Sequence, residues 1–150
     1  MTAVQRFNET REWFDAIFVH DLGDSAPLSN LIRLEPIPPE YTEVVAEIIA
    51  GNRDANLKAA KKRKLLPVDW IDAASFLSLL KYMNMRNQRP AFVEEMADIE
   101  RVEPAEMKKK LQALNKRMLL AEAESLGVSI GTVKNLIKEY EARLQSWPNI

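Results

Sequence analysis

LLAEAESLGVSIGTVKNLIKEY, residues 119–140, reads as a helix, a tight turn at Gly127 and a second helix. Ala123 precedes Gly127 by four residues, and Val133 follows it by six. Two helices that cross steeply need a small side chain where the first approaches the second. They also need a residue that tolerates positive φ at the turn, and an apolar anchor on the second helix. Ala123, Gly127 and Val133 fill those roles, with Leu126, Val128 and Leu136 supplying the surrounding apolar contacts. Ser129 is placed to cap the second helix by accepting a backbone N–H from a residue just after it. Leu119, Ala123 and Leu126 stand at i, i+4 and i+7, a single stripe along the first helix.

At these residues the segment resembles the helix-turn-helix DNA-binding superfamily. The run SLGVSIGTVKN is similar to the equivalent stretch of LuxR-type regulators and of the promoter-binding last region of sigma factors. One position departs from the family: the residue before the small alanine is usually apolar there and is Glu122 here, which leaves Leu119 to take over its packing. The resemblance implies that the second helix, roughly Ile130 to Leu144, enters a DNA major groove. It implies that Ser129 caps this reading helix and that the free N–H groups behind the cap face a phosphate. Ile130 is then placed for a thymine methyl. Thr132, Lys134 and Asn135 become candidates for base and backbone contacts, since asparagine pairs well with adenine and lysine with guanine or phosphate. Lys138, with Lys116 or Arg117, would hold the DNA backbone. Gly131 costs such a helix about 1 kcal/mol against alanine, and it either permits close approach to DNA or is tolerated in the first turn. Dimers of such units read two half-sites about 34 Å apart, so a homodimer or higher oligomer, built by the upstream helices, is expected. The implied role is a transcriptional regulator or a phage-type DNA-recognition subunit. The alternative is a non-enzymatic protein-binding adaptor in which the helical hairpin is architectural.

Charge supports a local rather than a general nucleic-acid surface. The 150 residues carry a net charge of −1, too little for a nonspecific polyanion binder. Residues 1–40 hold 3 basic and 7 acidic side chains, residues 41–100 hold 9 and 9, and residues 101–150 hold 9 and 6. The positive end thus coincides with the reading unit, and a neutral protein can still present such a patch. The acidic first segment would face away from DNA or toward a protein partner. A basic run from Arg53 to Lys64 has six Lys or Arg against one Asp. It reads as a solvated helix face, as a nuclear-localisation tract, or as a further phosphate strip through Lys61, Lys62, Arg63 and Lys64.

The rest of the chain reads as helices separated by proline and glycine. Asn8 is a plausible cap for a helix over residues 8–20, with Trp13, Phe14, Ile17 and Phe18 on one side; a short strand from Phe14 to Val19 is the alternative. Pro36, Pro38 and Pro39 cannot share a helix, so Pro36 to Glu40 reads as an extended linker and a candidate boundary. Thr42 can cap a helix from Glu43 to Ala50 with Val44, Val45, Ile48 and Ile49 as its apolar face and Gly51 as its stop. Asp69 to Met85, with Asp69 as cap, is broadly apolar and reads as a central helix packed on more than one side. Pro90 opens a short helix carrying Phe92, Val93, Met96 and Ile99. Pro104 opens the next, with Met107, Leu111, Leu114 and Met118, which runs unbroken into Leu119–Leu126 or kinks near Asn115. The expectation is an all-α protein of five to seven helices ending in a helix-turn-helix: an N-terminal segment over 1–40, a central core or oligomerisation region over 41–100, and a reading unit over 101–150.

Catalytic chemistry is thin. The chain has no cysteine and one histidine, His20, which beside Asp21 reads as a surface or turn residue. The four glycines are too scattered for a phosphate loop. No carboxylates stand in a motif that defines a catalytic pair or a calcium loop. The reading is therefore not an enzyme, with no metal and no cofactor. No apolar run approaches the ~20 residues that span a bilayer. MTAVQRFNETREW lacks a basic start followed by an apolar core, so no secretory leader is expected. Absence of cysteine fits a cytoplasmic protein.

Overall fold

Thr2 accepts the Gln5 backbone N–H on its hydroxyl while the Gln5 side chain accepts the Thr2 N–H, and this reciprocal cap starts the first helix. The computed structural model describes residues 1–53 and 69–150, with side chains for all of these except Asp69 and Trp70. Among the described residues the protein is all-α, with seven α-helices and no strand. They are α1 (Ala3–Asp21), α2 (Ala26–Leu34), α3 (Thr42–Ile49), α4 (Asp69–Asn87), α5 (Pro90–Glu100), α6 (Pro104–Leu126) and α7 (Ile130–Ser146). A single 3₁₀ turn, Pro39–Tyr41, leads into α3. The expected cap at Asn8 is corrected by the reciprocal cap, which sets the start of α1 upstream of it; Phe14 to Val19 is helical, not a strand. The cap expected of Asp69 and the tract Lys61 to Lys64 lie outside the described side chains.

The main core is built around α1. Trp13, Phe14, Ala16, Ile17, Phe18 and Val19 are all buried, so the expected one-sided stripe widens into a helix enclosed by its neighbours. Leu22, Leu28 of α2, Val44 and Val45 of α3, Ala73, Ala74 and Leu77 of α4, Ala123 and Leu126 of α6, and Val133, Leu136 and Tyr140 of α7 belong to the same cluster. It therefore draws on residues before and after the proline stretch, and Tyr41, at the end of that stretch, is fully buried within it. The Tyr41 hydroxyl meets Thr10 Oγ1 at 3.2 Å and accepts the Trp147 indole N–H at 2.9 Å, so its burial leaves no polar group stranded. A smaller cluster of Val93, Ala97, Met107 and Leu111 fastens α5 to the first half of α6. Helix α6 runs without a break through Asn115.

Several apolar positions stay outside. Ile49 and Ile99 are about as exposed as surface polar residues, at 71% and 67%, although both continue the apolar stripes of their helices. Each sits in the last turn of its helix, where the partner surface has ended. On α4, Ile71, Leu79, Tyr82 and Met85 are exposed while Ala74, Leu77 and Leu80 are buried, so this helix is packed on one broad side and bare on the other.

The turn between α6 and α7 is set by its glycine. Gly127 has φ +68°, the left-handed C-cap, and Val128 N–H returns to the Ala123 carbonyl. A Cβ at Gly127 would meet nothing within 4 Å, so the cost of any other residue is conformational. Gly131 is helical, and a Cβ there would meet only Ser129 Oγ at 3.7 Å. Gly127→Ala is therefore expected to destabilise the protein by about 1–2 kcal/mol. Gly131→Ala is expected to stabilise it by up to about 1 kcal/mol. Urea unfolding of both variants checks this pair of opposite signs, and the same sign for both would refute it.

Candidate nucleic-acid interface

The inner and outer faces of α7 separate cleanly. Val133, Leu136 and Tyr140 fall at i, i+3 and i+7 and are buried, with Ile130, Ile137 and Leu144 half-covered beside them against the main core. Lys134, Asn135 and Lys138 are exposed on the opposite side, as is Gly131. Among the described residues, neither Lys134 nor Lys138 has a carboxylate within 4 Å. Glu139 and Glu141 follow on the same helix without pairing to them. Lys116 and Arg117 are exposed on α6.

Ser129 caps α7 by accepting the Thr132 N–H at 3.2 Å. The Thr132 hydroxyl lies 3.1 Å from Ser129 Oγ and is half-buried, so it belongs to the cap more than to the open face. Ile130 packs against the core side and leaves only part of its side chain toward solvent. Of the candidates, the structure thus brings Lys134, Asn135 and Lys138 together on one face and sets Ser129, Ile130 and Thr132 at its N-terminal edge. Glu122, the departure from the family pattern, is half-buried, and burial raises its pKa. Leu119 packs against the main core beside buried Ala123 and Leu126, the role expected of it.

Among the described residues, the densest cluster of charge lies elsewhere. Asp21, at the end of α1, has a side chain only 2% exposed. It accepts from Arg53 Nη2 at 2.9 Å and Nε at 3.1 Å, and pairs with Arg143 Nη2 at 2.5 Å. His20 Nδ1 lies 3.1 Å from it, close enough to donate in the Nδ1–H tautomer; read from sequence as a surface or turn residue, His20 stands half-buried in the last turn of α1. Arg53 also donates to the Ile150 carbonyl at 3.0 Å, and Arg143 lies over the Phe18 ring. Burial pushes the Asp21 carboxyl up. The His20 and Arg53 hydrogen bonds and the charges of Arg143 and Arg53 outweigh that and hold it far below the usual carboxylate range. Arg53, read from sequence as part of a basic strip, is spent on this internal cluster. Nothing local in the chain announces it, because the three residues come from separate parts of the sequence.

A second buried carboxylate, Asp15, accepts from the Tyr140 hydroxyl at 2.8 Å. Burial raises the pKa of Asp15 despite that bond and nearby Arg11, and burial likewise pushes Tyr140 up. Among the described residues no three potential ligands stand close enough to hold a metal ion, and no helix is long and apolar enough to cross a membrane. No family model, curated protein or solved structure matches the chain.

The Asp21 cluster makes a pH prediction. A carboxylate whose folded pKa is depressed contributes stability above its unfolded pKa of about 3.9, and that stability is lost as pH falls below it toward the folded value. Asp15, with a raised pKa, acts with the opposite sign above pH 4 or so. Asp21→Asn leaves two arginines in a buried site with one neutral partner, so a loss of about 3–5 kcal/mol at neutral pH is expected. The loss is expected to shrink below about pH 4. Denaturant midpoints across pH, with Glu94→Gln, exposed and unpaired among the described residues, as control, test it; a loss that does not vary with pH would count against the cluster.

Proposed function

We propose that this protein reads duplex DNA through its C-terminal hairpin, as a transcriptional regulator or a DNA-recognition subunit, and that it is not an enzyme. The observation that carries the reading is the outer face of α7. Lys134, Asn135 and Lys138 stand exposed within three helical turns of a serine-capped N-terminus, and among the described residues no carboxylate neutralises the lysines. Such a face supplies a donor and acceptor amide for adenine and two cations for phosphate. The half-buried Ile130 and Thr132 flank it, and the exposed Lys116 and Arg117 are the backbone contacts supplied by α6. Work on DNA in the cytoplasm, without a cofactor, fits this chemistry.

Binding is expected to weaken steeply with salt, since each neutralised phosphate contributes a slope of about −0.9 in log affinity against log salt. Fluorescence anisotropy with mixed duplex DNA, on wild type and the Lys134→Ala/Asn135→Ala variant, measures it. The variant is expected to lose affinity about tenfold or more. A folded protein that binds no duplex at low salt would end the proposal.

The reading also calls for a second copy. Ile71, Leu79, Tyr82 and Met85 recur along one exposed side of α4, and this bare side is where we place the homodimer contact. Light scattering at micromolar concentration is expected to give a dimer or higher oligomer for wild type, and a monomer for Tyr82→Glu. A wild-type monomer would remove the dimer from the proposal and leave the single reading face.

A further inference from the structure

Between α4, α6 and α7 lies a cleft of about 350 Å³, lined by Leu80, Leu119 and Ile137 at its floor and by Lys81, Lys134 and Lys138 at its rim, with Glu141 the one carboxylate. Each floor residue comes from a different helix. At one end Asn115 donates to Asn84 Oδ1 at 3.3 Å and Asn87 donates to Asn115 Oδ1 at 3.1 Å, so these amides are occupied by one another. The rim ammonium groups are not. Among the described residues none of the three has a carboxylate within 4 Å. Lys134 and Lys138 are four apart on α7, a spacing at which like charges repel.

We infer that this cleft is a binding site for a small apolar carboxylate, its hydrocarbon part on Leu80, Leu119 and Ile137 and its anionic head between the lysines. The volume falls within the range of small-molecule sites, which combine an apolar lining with a few polar groups. An inorganic anion would leave the apolar floor wet, and a neutral hydrocarbon would leave the rim charges unused. The anion also relieves the repulsion between Lys134 and Lys138. Because the same two lysines stand on the proposed DNA face, an occupied cleft competes with DNA; this consequence, unlike the site itself, rests on the DNA reading.

The test is amide NMR titration of the full chain with decanoate, decanol and decyltrimethylammonium, kept below micelle formation. Decanoate is expected to give saturable shifts centred on Leu80, Leu119 and Ile137, decanol weaker ones and the cationic amphiphile none. Lys134→Gln/Lys138→Gln removes two exposed charges and is expected to weaken decanoate about tenfold while leaving decanol unchanged. Lys81→Gln, on another helix, is expected to weaken decanoate as well. No saturable shifts, equal binding of decanoate and decanol, or unchanged affinity in both variants would overturn the inference. Anisotropy with duplex DNA separates the two proposals. If decanoate binds and DNA does not, the cleft stands and the DNA reading falls. If DNA binds and decanoate does not, the cleft falls alone.

Discussion

Tyr140 ties the two ends of the chain together. Its hydroxyl donates to Asp15 at 2.8 Å, across 125 residues of sequence, and its ring meets Phe14 and Phe18 edge-on at 5.3 and 5.2 Å. Edge-to-face aromatic pairs and a hydrogen bond to a charged acceptor are each directional, so together they fix the rotation of α7 against α1 as well as its distance. One turn further on, Arg143 reaches Asp21 at the end of α1. Near the start of α7, Val133 and Leu136 are fully buried in the same core. The helix is thus held at three heights on one side, and its other side faces solvent by geometric necessity.

Burying that much charge has a cost, and the structure offsets it by closing the hydrogen bonding around each carboxylate. Asp21 is met by two arginines and a histidine, Asp15 by a tyrosine and Arg11. The balance falls differently at the two sites. At Asp21 the partners outweigh desolvation, and at Asp15 desolvation wins. Ion pairs of this kind contribute less to net stability than to uniqueness when both partners are present, because removing either one strands a charge in a dry site. Among the described residues Arg143 Nη1 is itself buried without a partner.

Local chemistry was readable in the sequence, and long-range chemistry was not. The positive φ of Gly127, the cap at Ser129 and the prolines opening α5 and α6 each depend on a residue and its immediate neighbours, and each was found where the residue types placed it. The T-x-x-Q pattern at Thr2 to Gln5 was an equally local signal for the start of α1 and outranks the cap at Asn8. Periodicity located the apolar faces but not where each face stops being covered, which is why Ile49 and Ile99 continue apolar stripes and stand in solvent. Arg53 looked like the first residue of a basic strip because nothing near it in sequence reveals Asp21. The face of α7 was legible because its inner and outer residues alternate at helical spacing, and the cleft beneath it was not, since its floor comes from three helices.

These constraints converge on α7. A surface that makes specific contacts must hold its side chains in place before the ligand arrives, or ordering them consumes the binding energy. Here the backbone of the exposed face is held by Val133, Leu136, Tyr140 and Arg143, none of which is needed for contact with a ligand. Lys134, Asn135 and Lys138 are consequently free to differ without loss of the fold, and the fold presents whatever stands there in a fixed geometry. The rim of the cleft shares two of these side chains, Lys134 and Lys138. Each ammonium can neutralise only one anion at a time, so any two anionic ligands that need these lysines are coupled through them, and by linkage the coupling is the same in both directions.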